Sequence, residues 1–294
     1  GGRYNVVGGT QSRDGEWQTA AGDPVLAGAV YVQGTDGPDG VTTLTVDPGM
    51  TVRGSSGSIY VGNGGPGALI ADGNTGPGAP ATILFTTASG SPAPGQWGGI
   101  NFMTQTSAAV GSIVRNATVE YAGGGGTYAD IYLNTPSGVT VTLAQLTLQK
   151  SYYYGIYTVG SSNLSLSGTS TVQNNNDTGI YATGSGSVSI SGTTFTGNTN
   201  YDLNDSNNNS GSVTGSTFNG TVSFAYGTAT VTLSGNTFNN WGTTSPHISQ
   251  LTPNQAARLT LDNTVNKVGG GRYNVVGGTQ SRDGEWQTAA GDPV

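Results

Sequence analysis

The sequence predicts an all-β chain wound as a parallel β-helix, one unit of a tandem array. Three observations predict it. Apolar residues recur in three ladders that share a period of 20–25 residues. Around each rung apolar and polar residues alternate, the pattern of a strand with one buried face. Clusters rich in Asn and Gly separate the strands, and these residues tolerate the left-handed backbone of sharp corners.

The first ladder is Ile131, Ile156, Ile180 and Leu203, spaced 25, 24 and 23. The second is Leu148, Val172, Phe195, Phe218 and Phe238, with Val119 read as its start one longer coil earlier. The third is Leu143, Leu166, Ile190, Val213 and Leu233. Three short strands per turn stack at about 4.8 Å, so equivalent side chains pile up. A lone coil cannot bury its apolar side; its neighbours bury it. A sandwich or up-and-down barrel would instead turn every 8–12 residues or so, without locked ladders.

Composition fits an ordered β-protein. Charged residues make up 9% of the 294, about a third of the usual share. Disorder usually brings high charge and few aromatics. Here 14 Tyr, 4 Trp and 6 Phe accompany 51 Gly.

The elements follow in order. Residues 1–25 form a junction stretch. Residues 26–111 are less regular coils: "VLAGAVYVQG" (Val25–Gly34), "TLTVDPGMTVRG" (Thr43–Gly54), "GSIYVGNGG" (Gly57–Gly65) and "ATILFTTASG" (Ala81–Gly90) read as strands between Pro/Gly-rich loops. Residues 112–268 are regular coils, with "LSLSG" (Leu164–Gly168), "VSISG" (Val188–Gly192) and "VTLSG" (Val231–Gly235) as strands. "QNNNDTG" (Gln173–Gly179) and "TGNTN" (Thr196–Asn200) are corners. Residues 269–294 lead into a next unit.

Some stretches are similar to a known family. "LTVDPGMTVRG" (Leu44–Gly54), "PGQWGGINF" (Pro94–Phe102), "VRNATVEYAGGG" (Val114–Gly125), "GTTFTGN" (Gly192–Asn198) and "SGNTFNN" (Ser234–Asn240) resemble bacterial right-handed parallel β-helix repeat proteins. These are secreted or surface members of the pectate-lyase-like superfamily. The resemblance implies a right-handed coil and an extracellular or cell-surface location. It implies no single activity.

Gly1–Val25 recurs letter for letter as Gly270–Val294, an offset of 269. Structural pressure alone would let surface turns drift. A cloning artefact is one explanation; one unit of a tandem array, followed by the start of the next, is the preferred one. The repeated stretch holds two arginines and three carboxylates, so each unit is mildly acidic and self-repelling. The expected function is a non-catalytic structural unit of an extracellular fibre or adhesin stalk. Its partners would be copies of itself, head to tail. A carbohydrate-binding module and a polysaccharide lyase or hydrolase are the alternatives.

Charge and composition narrow the partners. A net charge of −7 argues against nucleic acid and against anionic lipid. No apolar run approaches the ~20 residues of a membrane helix, and any export signal is expected outside this stretch. Without cysteine, disulfides and thiolate metal sites are excluded.

Catalysis on this fold needs converging carboxylates. Glu120, Asp130, Asp177, Asp202 and Asp205 show no pair at matched positions of adjacent coils, and Arg115 and Lys150 are the nearby bases. Glu120 is a candidate partner of Arg115. His247, the sole histidine, reads as a loop residue. No cofactor is expected. Asp36 and Asp39 in "GTDGPDG" could offer oxygens to Ca²⁺, though a turn is preferred.

Tyr132, Tyr157 and Tyr181 follow the ladder isoleucines and should face outward on consecutive coils, a row suited to a glycan or a neighbouring fibre, though stabilising the sheet face is preferred. Tyr152, Tyr153 and Tyr154 are expected at an exposed corner, as a lateral contact. Trp17, its copy Trp286, Tyr4 and Tyr273 are the candidate junction residues, with both copies expected to follow one backbone path. A bare β-helix end exposes core and strand edges that a bulky ring could cover.

Overall fold

The structure is a computed structural model, and it describes all residues except 1, 76–79, 207–209, 225–229, 242–247, 268–271, 276–291 and 294. The described strands form two sheets of 18 and 12 strands, in which every strand pair is parallel. The larger sheet bends along its length, so each coil has three faces. Face one includes Thr42–Val46, Gly67–Asp72, Leu164–Ser167 and Val188–Ser191. Face two includes Thr51–Gly54, Ile83–Thr87, Ser170–Gln173 and Thr193–Thr196. Face three, the second sheet, includes Val30–Val32, Ile59–Val61, Ala129–Leu133 and Thr178–Ala182. The chain visits one, two and three in turn and starts again one step further along.

The predicted ladders are columns of register partners. On face three Ile131 pairs with Ile156, Ile156 with Ile180, and Ile180 with Leu203. On face two Leu148, Val172, Phe195 and Phe218 are successive partners. All eight side chains are fully buried. Phe195 stacks on Phe218 at 4.8 Å between ring centroids, and Phe218 on Phe238 at 5.2 Å. Val119 does not start the second ladder: Phe85 and Val52 precede it in register. Likewise Val30, Ile59 and Ile100 precede Ile131 on face three. Long loops stretch the early period beyond 25 residues, which hides these rungs from a fixed-period search.

Two corners show how the chain turns. At the bend between faces one and two, Asn116, Gln145, Gly168, Gly192, Gly215 and Gly235 all have φ between 46° and 68°. The later coils put glycine there, which adopts this left-handed backbone without the Cβ clash that Asn116 and Gln145 bear. Between faces two and three, side-chain amides join coil to coil. Asn175 Oδ1 accepts from Ser151 N at 3.0 Å, and Asn198 Oδ1 accepts from Asn175 Nδ2 at 2.9 Å. Asn175 and Asn198 therefore satisfy corner groups that no strand pairing reaches. Along face two itself, Asn239 Nδ2 donates to Asn219 Oδ1, and Asn266 Nδ2 to Asn239 Oδ1.

One element departs from the all-strand expectation. Pro253–Asp262 is a ten-residue α-helix in the face-one position, between strands Ile248–Leu251 and Thr264–Lys267. Thr252 and Gln255 form a capping box and Pro253 stands in the first turn, a legible helix start. The helix lies over strand Thr230–Ser234. Gln255 Nε2 donates to Val231 O at 2.8 Å, and Asn263 Nδ2 to Leu233 O at 3.3 Å. Ala256, Ala257 and Leu259 are buried beneath it. The helix thus covers an edge that would otherwise invite another strand.

Phe195→Ala would leave a cavity between Val172 and the Phe218 ring. We expect a loss of about 3–5 kcal/mol, read from urea denaturation. A loss below about 1 kcal/mol would mean that the column repacks around the gap.

Candidate functional site: an aromatic face and a repeated joint

The outward side of face three carries the aromatic residues. Tyr132, Tyr157 and Tyr181 are register partners on consecutive coils and are half-buried. Their centroids lie 5.5 and 5.4 Å apart, and the second pair is stacked with 10° between planes. Tyr152 and Tyr153 are exposed at the neighbouring corner. Tyr154 is not a corner residue: it begins strand Tyr154–Thr158 and packs 5.2 Å from Tyr157 and 5.0 Å from Tyr181. It bridges row and corner, and Tyr128 extends the patch, 5.4 Å from Tyr153. Seven tyrosines therefore form one connected surface. Burial, followed by the nearby Asp177, pushes the Tyr154 hydroxyl up to about 12.

A second aromatic pair lies in the same column. Tyr31 stacks on Tyr60 at 5.2 Å. One coil, bearing Asn101, separates it from Tyr132. Asn101 is fully buried, and its Nδ2 approaches the carbonyls of Ile59, Gly98 and Gly99 at 3.3 Å each. Its Oδ1 is buried without a hydrogen-bond partner. The irregular early period concealed this part of the column from sequence reading.

The carboxylates are dispersed. Arg115 forms a two-pronged pair with Asp72 of the adjacent coil, which holds Asp72 below the usual carboxylate range. Glu120 is not its partner, because the bend at Asn116 separates the two faces. Glu120 accepts from Thr86 Oγ1 at 2.8 Å and from Gln149 Nε2 at 2.7 Å. Lys150 Nζ donates to Tyr121 OH at 2.9 Å. Asp177 accepts from Asn200 Nδ2 at 2.7 Å, and Asp205 is buried on face three.

Asp130 and Asp202 share one column, with Gly155 and Gly179 between them. Three steps of ~4.8 Å put them about 14 Å apart. Desolvation raises both, Asp130 strongly. Asp202 accepts from Asn198 Nδ2, Asn219 N and Gly220 N. Asp130 accepts a 3.3 Å contact from Ala122 N, and the Gln149 backbone also opposes its desolvation.

Asp36 and Asp39 are exposed, and Asp39 Oδ1 accepts from Val41 N at 3.0 Å, an Asx turn. Among the described residues no group of three His, Asp or Glu side chains could hold a metal. His247 and Trp286 lie outside the described residues.

The described strands of the two copies can be set side by side. Strand Arg3–Val6 pairs with Asp23–Leu26 on face two, with Arg3 opposite Asp23 and Tyr4 opposite Pro24. Strand Arg272–Val275 pairs with Asp292–Pro293, with Arg272 opposite Asp292 and Tyr273 opposite Pro293. The register is the same in both copies. The surroundings are not: Arg272–Val275 also pairs with Ile248–Leu251 and so continues face three. Tyr4 is half-buried, whereas Tyr273 is wholly buried. Trp17 packs, partly buried, against the first coils of the core.

With this geometry in hand, the family comparison is informative. The family model for the right handed beta helix region matches residues 129–282, just over half of the chain. The chain belongs to that family, and its solenoid is right-handed. No curated protein and no solved structure matches it.

The raised carboxyls have a consequence for stability. A folded chain that holds protons on Asp130 and Asp202 above pH 4 gains them relative to the unfolded chain. Stability therefore falls as pH rises from about 4. The lowered Asp72 acts oppositely, and only in more acid solution. We expect the urea midpoint to drop as pH rises above the ordinary carboxylate range, and Asp130→Asn to shrink that drop. A midpoint that rises there, unchanged by the substitution, would show that Asp130 is ionised in the fold.

Proposed function

We propose that the chain is a structural repeat unit of an extracellular filament or adhesin stalk of the secreted, tandemly repeated β-helix type. One observation carries the reading. The same twenty-five residues recur after 269 positions and build the same strand register at both places. A stretch that recurs with its strand pairing kept is suited to joining one unit to a copy of itself. The mildly acidic surface supports this role, since like-charged rods stay apart. Buried carboxyls about 14 Å apart suit a packing role better than paired acid–base work, which needs roughly 5–10 Å.

Two measurements test this. A chain of six units in tandem should appear by electron microscopy as a continuous rod of about 50 Å per unit, from roughly ten strand steps. Antibody raised against the unit should label filaments on intact cells of the source organism. Label confined to the interior of permeabilised cells would overturn the extracellular reading.

The seven-tyrosine surface favours a second reading, in which the same face binds glycans. Pyranose rings stack on aromatic faces, and Asp177 and Asn200 supply polar partners beside them. On a glycan array Tyr157→Ala should lose at least tenfold in signal. Equal signals for both proteins would leave the aromatic row with a packing role only.

A further inference from the structure

We infer that successive units turn about the filament axis by one face, so that face two of each unit is built on face three of the unit before it. This rests on the proposal that the units form a tandem array, and concerns the geometry of their joint. By the offset of 269, Arg272–Val275 is the first strand of the following unit, the counterpart of Arg3–Val6. In the first copy that strand founds face two, because Asp23–Leu26 and then Thr51–Gly54 stack upon it. In the second copy it pairs backward with Ile248–Leu251, the tenth described strand of face three, and forward with Asp292–Pro293.

The end of the unit explains the change of face. On face one the helix Pro253–Asp262 sits where a strand would lie and draws off the Val231 and Leu233 carbonyls. Face two ends its run in Thr264–Lys267, whose partner in the preceding coil is Thr237–Trp241. The next strand in the chain meets face three. There Ile248 lies opposite Tyr273, and Tyr273 is buried.

A pure translation would instead lay the next unit's face-two strand on the present face two. The observed pairing replaces it with a screw. The turn equals the angle between the outward directions of faces two and three, and it follows the sense in which the chain winds. The tyrosine surface of face three then points in a new direction on every unit. The partner recognised at the joint is a second copy of this unit, through its first strand and its Tyr4 equivalent.

Cryo-electron microscopy of the six-unit chain tests the screw. The expected map relates neighbours by an advance near 50 Å together with a turn of one face. Straight rods whose units superimpose without turning would overturn the screw and leave the structural role standing. Separate beads on a flexible string would overturn both.

The 294-residue chain offers a matched control, since Tyr4 and Tyr273 share one local sequence. Tyr273→Ala should speed amide exchange at Ile248–Leu251 at least tenfold, and Tyr4→Ala should leave those amides unchanged. No change in either variant would mean that Arg272–Val275 is not seated on face three.

Discussion

Everything in this molecule depends on the parallel backbone ladder that locks one coil onto the next. Once Ile156 sits opposite Ile131, every other residue of the coil has its neighbour fixed. Like then stacks on like: isoleucine on isoleucine, phenylalanine on phenylalanine, asparagine on asparagine. The consequence is a core without a centre. Each coil is buried by its two neighbours and depends little on coils further away, so changes in loop length between rungs are tolerated provided the register is restored.

That tolerance decides what could be read in advance. Between Asp130 and Phe238 the loops are short and equal, so the ladders and their burial were legible. Before Ile113 the same columns continue through Val30, Ile59 and Ile100, but excursions such as Ser89–Gly99 vary the interval. A search at constant period loses the column there, and with it the Tyr31–Tyr60 stack. The helix Pro253–Asp262 departs from the regular coils expected up to residue 268, although Thr252, Pro253 and Gln255 announce it.

The site was legible in part. That Tyr132, Tyr157 and Tyr181 face outward follows from strand alternation. That Tyr154 joins them to Tyr152 and Tyr153 does not, because it depends on how a corner closes in three dimensions. The column shared by Asp130 and Asp202 was also overlooked. Two intervening glycines separate them, and comparison of adjacent coils alone cannot see a match three steps away.

The helix that closes face one also sets how the rod would respond to being pulled. Force along the axis is carried from coil to coil by rows of backbone hydrogen bonds, side by side on three faces through most of the unit. At Pro253–Asp262 one of those rows is interrupted, and two side-chain amide contacts with the backbone bond from Gly235 N to Asp262 O stand in its place. The cross-section under tension is reduced there. In a tandem array of the kind proposed, this reduced level would recur once in every unit, so strain would be released in equal increments rather than by a single break.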